Sequence, residues 1–449
     1  MPATIFDSAV FQDVFTTAAM RQVWSDENRV QKYLDIEAAL AKAQGALGII
    51  PKEATEEIVR HCDASKIDMA KLKAQTEKIG YPVLPVVQQL VGLCKDGLGE
   101  WCHWGATTQD ITDTATILQI REGLELLERE INAIADSLAD LAKKYRDTPM
   151  VGRSNLQQAV PITFGYKMAT MLGAFERHKE RLAQLKPRVL TGEFGGAAGT
   201  LSSLGKDGLK VQAGLMKELK LNQPDISWHT IRDRIAETGC FLGLVTGTCG
   251  KIAFDVKLMM QTEVEEAYEP FHEGRGSSST MPQKRNPISS VYITAQTAMV
   301  KHYVSALLEA QVEDHERSTG PWEIEWIALP EIFLASAGAL AQTRFLVGGL
   351  QINEKKMREN LGITKGLIMS EAVMMGLGPK MGRNRAHDVV YDVCREAVKT
   401  GRPLPDLLAE NAEIKKHASR KELEAMLDPA NYLGVAGEMV DRVLAGRKK

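Results

Sequence analysis

The clearest pattern in the chain is a long series of apolar residues with helical spacing. Starting at Ile117, apolar residues recur at alternating steps of three and four, which places them on one face of an α-helix. The series continues through Ile120, Leu124, Leu127, Ile131, Ile134, Leu138 and Leu141. Charged residues occupy the other face, as expected for a solvated surface. The pattern predicts one long helix.

Three further apolar segments predict long helices, at roughly residues 235–260, 291–312 and 328–350. Few stretches alternate between apolar and polar residues, which disfavours an enzyme built on a sheet. Residues 240–252 are apolar or small on nearly all sides, which is typical of a helix buried on every face. We therefore expect an all-α fold around a long helical bundle, and subunits that share the bundle.

The length and composition indicate more than one domain. The chain has 449 residues, of which 44% are hydrophobic, too many for one ordinary core. Loop-like sequences precede residues 112 and 354. We predict an N-terminal helical domain at 1–111, a central bundle at 112–353 and a C-terminal helical domain at 354–449.

Charge and cysteine content exclude several functions. A net charge of −3 supplies no basic field for nucleic acid. No uninterrupted apolar run reaches the ~18–20 residues that span a bilayer, and the N-terminus lacks a signal-peptide layout. We expect a cytoplasmic protein without membrane or nucleic-acid partners. The six cysteines are scattered without a C-x-x-C pair, so we predict reduced thiols and no metal site.

The segment from Gly276 to Pro287, GSSSTMPQKRNP, has neither helical nor strand periodicity and predicts a mobile loop. Ser278 precedes Lys284 by six residues. A serine whose alkoxide is stabilised by an ammonium and backbone N–H groups is a strong base. The segment resembles the signature G-S-S-x-M-P-x-K-x-N-P of the fumarase/aspartase superfamily. The resemblance implies a catalytic pair of Ser278 and Lys284, with Asn286 holding the substrate.

The segment CHWGATTQD, residues 102–110, resembles the superfamily run H-x-G-x-T-S-x-D. Thr107 and Thr108 stand where a helix is predicted to start, and free N–H groups at a helix start can receive a carboxylate. Gln109 belongs to the same site. His103, the third predicted catalytic residue, is placed to donate a hydrogen bond or to orient a neighbour.

The segment VGRSNLQQAVP, residues 151–161, resembles the superfamily run G-R-T-x-L-Q-x-A-x-P. Its polar residues, set in an apolar frame, predict a carboxylate-binding wall. The predicted wall residues are Arg153, Asn155, Gln157 and Gln158. The remaining substrate-binding candidates are His229, Arg234, Ser279, Met281 and Arg317. The resemblance also implies a homotetramer with a twenty-helix core, active sites shared by three subunits, and no cofactor.

Departures from related sequences bear on the substrate. Adenylosuccinate lyases have histidine at the position of Asn155 and a phosphate site after His-Glu-Arg, where this chain has indoles between residues 318 and 326. Nucleotide substrates are therefore disfavoured. Over nearly its whole length the chain is similar to 3-carboxy-cis,cis-muconate cycloisomerase. That enzyme tends to have Trp-Leu-Gln-His at residues 155–158 and histidine at Gln283, so an altered substrate is expected.

The predicted activity is metal-free anti β-elimination on a substituted succinate, a small di- or tricarboxylate, with C–N cleavage that releases fumarate. The first alternative is the cycloisomerase reaction on 3-carboxy-cis,cis-muconate. The second is a structural protein that keeps the superfamily frame without catalysis, and the intact Ser278, Lys284 and Asn286 argue against it.

Overall fold

The computed structural model describes residues 3–447, which form α-helices and four short β-strands. The α-helices are α1 Gln12–Phe15, α2 Ala18–Val23, α3 Asp26–Ala46, α4 Lys52–His61, α5 Met69–Ile79, α6 Val83–Leu93, α7 Thr108–Lys144, α8 Phe164–Val189, α9 Gly208–Leu219, α10 Asp233–Met259, α11 Ile288–Glu309, α12 Pro321–Gly348, α13 Glu354–Leu361, α14 Ser370–Met381, α15 Arg383–Thr400, α16 Leu404–Glu410, α17 Ile414–His417, α18 Arg420–Leu427 and α19 Ala436–Ala445. The strands are β1 Pro149–Ser154, β2 Gln157–Thr163, β3 Ala267–Tyr268 and β4 Gln351–Ile352. The all-α prediction is confirmed.

Helix α7 contains the apolar series that begins at Ile117. Every member of the series from Ile117 to Leu138 is at most 1% exposed, and Leu141 is half-buried. Helices α10, α11 and α12 correspond to the three other apolar segments. Helix α12 begins seven residues earlier than predicted, at Pro321. Proline suits the first turn of a helix because its φ is preset and its missing N–H would have no partner there.

Helices α10 and α12 are long and apolar enough to cross a membrane by length and composition alone. In the 18-residue apolar stretch of each helix, 50% is buried inside the protein for α10 and 61% for α12. Buried core helices have this composition because all of their faces meet apolar neighbours.

The chain divides into two compact units. Unit 1 consists of residues 1–131, 178–249 and 292–341, and unit 2 consists of residues 132–177, 250–291 and 342–449. Five long helices, α7, α8, α10, α11 and α12, have residues in both. The division into three domains stays a prediction.

The β1–β2 hairpin in unit 2 was not predicted. Its strands pair antiparallel with Ser154 opposite Gln157, leaving Asn155 and Leu156 as a two-residue loop. Both loop residues are left-handed, with φ of 51° and 64°. Positive φ at both central residues is typical of the type I′ turn, which favours asparagine first and glycine second. Asn155 therefore suits the turn, whereas Leu156 is strained there.

Candidate functional site

The start of α7, in unit 1, carries the predicted carboxylate site. The Asp110 side chain accepts a hydrogen bond from the backbone N–H of Thr107 at 2.9 Å. The next N–H groups belong to the first helical turn, which has no intrahelical acceptors. The Thr108 hydroxyl makes no hydrogen bond to the rest of residues 3–447. Free N–H groups, a free hydroxyl and the helix dipole suit an anion.

A glycine loop lies against this helix start. Asp110 accepts hydrogen bonds from the backbone N–H groups of Gly195 and Gly196, at 2.8 and 3.0 Å. A Cβ on Gly195 would lie 2.7 Å from the Ser227 hydroxyl, and Gly196 has φ of +71°. Glycine is required at both positions, the first for close approach and the second for backbone conformation. The buried Asp110 thus joins the loop to α7.

Arg317 ties the same elements together from the other side. Its guanidinium donates to Thr107 Oγ1 and Gln109 Oε1, at 2.8 Å each, and to the carbonyl of Gly196 at 3.3 Å. The Gln109 amide in turn donates to the carbonyl of His229 at 2.7 Å. The structure brings Arg317 and Gln109 to Thr107. Their polar groups are engaged with the protein, so they hold the shape of the site.

His103 lies before α7 in a left-handed backbone conformation, with φ of 58°. Its backbone N–H and its Nδ1 both contact the buried Glu37 carboxylate, at 3.0 and 2.6 Å. Burial alone would lower the pKa of His103, but the Glu37 carboxylate outweighs burial and raises it. The Glu37 carboxylate therefore favours the protonated form of His103, and part of the ring is exposed.

His229 and Arg234 are not exposed at the α7 start. His229 is 3% exposed, and its Nε2 lies 2.8 Å from Asp110 Oδ1. Asp110, Glu193 and His229 place potential metal-ligand atoms within 4.8 Å of one another. Arg234 donates to the carbonyl of Arg188 and lies over the Trp228 ring. It contacts no other predicted site residue.

Sequence reasoning missed a buried charge cluster one turn further along α7. Arg232 is 1% exposed and forms bidentate ion pairs with Asp113 and Glu325. The Glu313 carboxylate lies 3.8 Å from Arg232, and burial raises the pKa of Glu313 to about 8. Because the charges of this helix are interpreted from the sequence as solvated, no signal marks Asp113 as a buried carboxylate in need of a partner.

The predicted wall in unit 2 contains an ion pair with one buried partner. Arg153 donates two hydrogen bonds to the fully buried Glu266, at 2.7 and 2.8 Å. Asn360 donates to the same carboxylate at 2.9 Å, and the Gln158 amide donates to the carbonyl of Asn360 at 3.0 Å. Arg153 and Gln158 therefore lie side by side, and Glu266 neutralises the arginine. Asn155 and Gln157 are exposed at the hairpin tip.

Asn286 closes the signature loop, also in unit 2. Ser277 and Arg285 form an isolated antiparallel bridge, and the Asn286 backbone and side chain both donate to the carbonyl of Gly276. A Cβ on Gly276 would lie 2.6 Å from the Asn286 carbonyl oxygen, so glycine is required. The Asn286 amide, predicted to hold substrate, is engaged in shaping the loop.

Ser278 has the environment expected of a reactive hydroxyl. Its Oγ accepts hydrogen bonds from the backbone N–H groups of Thr280 and Met281, at 3.3 and 3.0 Å. Two N–H donors stabilise negative charge on this oxygen. Lys284 is exposed and forms no ion pair with the described residues. Ser279 and Met281 are also exposed.

Comparison with known proteins identifies the family. The profile of the family described as Lyase matches residues 13–301, and that described as Adenylosuccinate lyase C-terminus matches residues 366–443. The chain is 57% identical to trans-aconitate decarboxylase 1 of Mycosarcoma maydis, over 98% of this chain and 89% of the relative. It is 44% identical to 3-carboxy-cis,cis-muconate cycloisomerase of Pseudomonas aeruginosa, over 97% and 96%.

Among solved structures, fumarate lyase from Mesorhizobium sp. BNC1 is similar, with a TM-score of 0.91 and 47% identity over 96% of this chain and 99% of that one. These three relatives have names that describe three different reactions. The helical fold, the signature loop and the matched profiles agree with one another, and the chain belongs to the fumarase/aspartase superfamily of lyases.

Proposed function

We propose that this protein is a decarboxylase of an unsaturated tricarboxylate of the trans-aconitate type. The main support is that the predicted wall in unit 2, at Arg153, Asn155, Gln157 and Gln158, has no free acid group. Asn155 and Gln158 occupy the positions at which adenylosuccinate lyase and the cycloisomerase have histidines. Asn155 forms the turn, Gln158 bonds to the carbonyl of Asn360, and Glu266 is bound to Arg153. A departing amine must be protonated, whereas departing CO2 needs no proton.

The reaction is balanced by a single proton. The bond between the methylene carbon and its carboxylate breaks, CO2 leaves, and the electron pair spreads through the double bond onto the conjugated carboxylate. The resulting anion is of the aci-carboxylate kind. Protonation of the carbon next to that carboxylate gives methylidenesuccinate. The overall change consumes one substrate and one proton, and releases one CO2 and one methylidenesuccinate.

Ser278 is the proton donor in this scheme. The two N–H groups on its Oγ stabilise the alkoxide that remains, which makes the hydroxyl a better acid. Lys284 provides positive charge for the anionic intermediate, and water restores the serine proton. In the tetramer proposed below, the free donors at the start of α7 of another subunit receive a substrate carboxylate that does not react. In an elimination the same serine would act as the base.

C–N cleavage that releases fumarate is the second candidate. Two observations favour it. One is the likeness to a fumarate lyase, and the other is His103, an imidazole just before α7 whose pKa is raised by the Glu37 carboxylate. Such a group could protonate a departing amine. Cycloisomerisation of 3-carboxy-cis,cis-muconate is the third candidate and also requires no acid for the leaving group. For nucleotide substrates we expect no turnover.

We further propose a cytoplasmic homotetramer in which three subunits complete each active site. Large apolar side chains are exposed along the long helices, which favours burial against other subunits. They include Leu244, Phe254, Val291, Met299, Leu308 and Ile327. Light scattering of the purified protein should give four times the chain mass of 49.4 kDa. A monomer that is active would contradict the shared site.

Substrate assays separate the three reactions. Purified protein is incubated in D2O with trans-aconitate, with a panel of N-substituted aspartates and with 3-carboxy-cis,cis-muconate, and products are followed by NMR. We expect methylidenesuccinate and CO2 from trans-aconitate, with one deuterium on the carbon next to the carboxylate. Fumarate from an aspartate, or loss of the muconate diene without CO2, would replace the proposal by the second or third candidate. No product in any of these assays would favour a structural protein without catalytic activity.

A further inference from the structure

A chain of buried acid and base groups lies behind the carboxylate site in unit 1. The Ser227 hydroxyl donates to Glu193 Oε1 at 2.9 Å and lies 3.1 Å from His229 Nδ1. The opposite ring nitrogen, Nε2, bonds to Asp110 at 2.8 Å. Glu193, His229 and Asp110 are each at most 3% exposed. The chain ends at Asp110, the residue that holds the start of α7 against the glycine loop.

The Ser227 hydroxyl allows two proton arrangements. In the first, Ser227 donates to an ionised Glu193 and accepts from the protonated ring of His229. In the second, a protonated Glu193 donates to Ser227, and Ser227 donates to neutral His229. The two arrangements contain the same number of protons and differ only in where they are placed. The two arrangements interconvert when the serine hydrogen moves to Glu193 and the Nδ1 hydrogen of His229 moves to the serine oxygen.

We propose that Glu193, Ser227 and His229 form a buried proton relay, and that this relay controls how strongly the α7 start binds a polycarboxylate. The proposal rests on the proposed function, because it assumes a carboxylate ligand. The three residues are positioning residues and do not touch the substrate. They act through Asp110, whose charge they balance.

The same residues could be considered a metal site, but their hydrogen bonds favour a relay. Asp110 Oδ1 already accepts from Gly195 and His229, and Oδ2 accepts from Thr107 and Gly196. Glu193 accepts from Ser227 and from the backbone N–H of Trp228. A metal ion would have to displace several of these bonds. The carboxylate oxygens of Asp110 and Glu193 therefore act as hydrogen-bond acceptors, which favours the relay over a metal site.

Electrostatics sets the pH range in which the relay responds. Burial raises the pKa of Glu193 to about 7, His229 opposes the rise, and Asp110 and Asp113 add to it. Asp113 is itself paired with Arg232. A polycarboxylate at the α7 start adds negative charge near Asp110, which favours the protonated form of Glu193 further. Ligand binding near neutral pH should therefore draw a proton into the relay.

The first test measures this proton. Propane-1,2,3-tricarboxylate, a saturated analogue without the double bond, is titrated into the protein by calorimetry at pH 7 in two buffers of different ionisation enthalpy. We expect the wild type to take up a fraction of a proton on binding and Glu193→Gln to take up less than half as much. Raising the pH from 6 to 8.5 should weaken binding at least threefold more in the wild type than in Glu193→Gln.

The second test uses no ligand, so it separates failure of the relay from failure of the proposed function. Native Glu193 keeps its proton to a higher pH than the unfolded chain, so its contribution to stability is present below pH 4.5 and is lost as the pH rises towards 7. Stability measured across this range should fall more steeply in the wild type than in Glu193→Gln. Glu125→Gln, at an exposed position of α7, is the matched control.

Ser227→Ala provides a second variant in case Glu193→Gln fails to fold. It removes the bridge and leaves both charged groups in place, so the pH dependence should change while the fold persists. Equal proton uptake and equal pH slopes of stability in all variants would overturn the relay. Absence of tricarboxylate binding in a wild type that shows the expected stability slope would instead refute the proposed substrate.

Discussion

Two regions of the molecule differ in how firmly their polar groups are held. The first is the carboxylate cradle in unit 1, which consists of the start of α7, the glycine loop and Arg317. The second is the signature loop at residues 276–287 in unit 2. In the cradle, Asp110 and Gln109 are buried and bonded to their neighbours. In the loop, Ser279, Met281 and Lys284 are exposed, and the Ser278 hydroxyl bonds to two backbone N–H groups and to the Thr280 hydroxyl, all within the loop. The difference matches the roles that we propose for the two regions, since recognition needs donors fixed in advance and proton transfer needs an accessible group.

The largest expected effect is on turnover and comes from the loop. Ser278→Ala removes the proton-transferring hydroxyl without removing a structural contact of unit 1. We expect kcat to fall about 10²–10⁴-fold, with little change in KM. Steady-state kinetics and light scattering of the same preparation provide the measurement. Ser279→Ala is the matched control, and equal losses in the two variants would rule out a specific role for Ser278.

The next effect is on stability and comes from the region behind the cradle. Arg232→Met leaves the buried carboxylates of Asp113 and Glu325 without their cation. We expect a loss of about 3–5 kcal/mol in the free energy of unfolding, measured by denaturant titration. Arg234→Met, two residues away and bonded to a single carbonyl, should lose far less. Similar losses would show that the buried cluster does not stabilise the fold.

A smaller effect tests the cradle itself. Arg317→Lys keeps the charge but loses the planar group that bonds Thr107 and Gln109 together. We expect kcat/KM to fall about 10–100-fold, mainly through a higher KM, because charged hydrogen bonds contribute about 1.5–3 kcal/mol each. Kinetics on the identified substrate measure this change. Arg234→Lys is the control, and a loss confined to kcat would assign Arg317 to the chemistry.

The smallest expected effect concerns the hairpin tip in unit 2. Leu156→Gly places the preferred residue at the second position of the type I′ turn. We expect the free energy of unfolding to rise by about 0.5–1 kcal/mol, because relief of the left-handed strain exceeds the added entropy of the unfolded chain. Leu156→Ala keeps the strain and should not stabilise. Increased stability with reduced activity would show that the exposed leucine serves the active site.

The elements that the sequence predicted well are those determined by local spacing. The apolar series of α7 produced a helix with a buried seam, because a period of 3.6 residues places every member on one side. The β1–β2 hairpin was missed, since its strands are short and only partly alternate between apolar and polar residues. Its turn could have been inferred from Asn155, had leucine not occupied the glycine position.

The sequence by itself determined the fold class, the superfamily and the residues of the signature loop, because apolar periodicity and an uninterrupted motif are local properties of the chain. Only the tertiary structure decided which polar residues are engaged with one another. It paired Arg153 with Glu266, Arg232 with Asp113, and His229 with Asp110, residues more than 100 positions apart. Those pairs follow from burial, since a buried charge must find a partner wherever the fold brings one within reach.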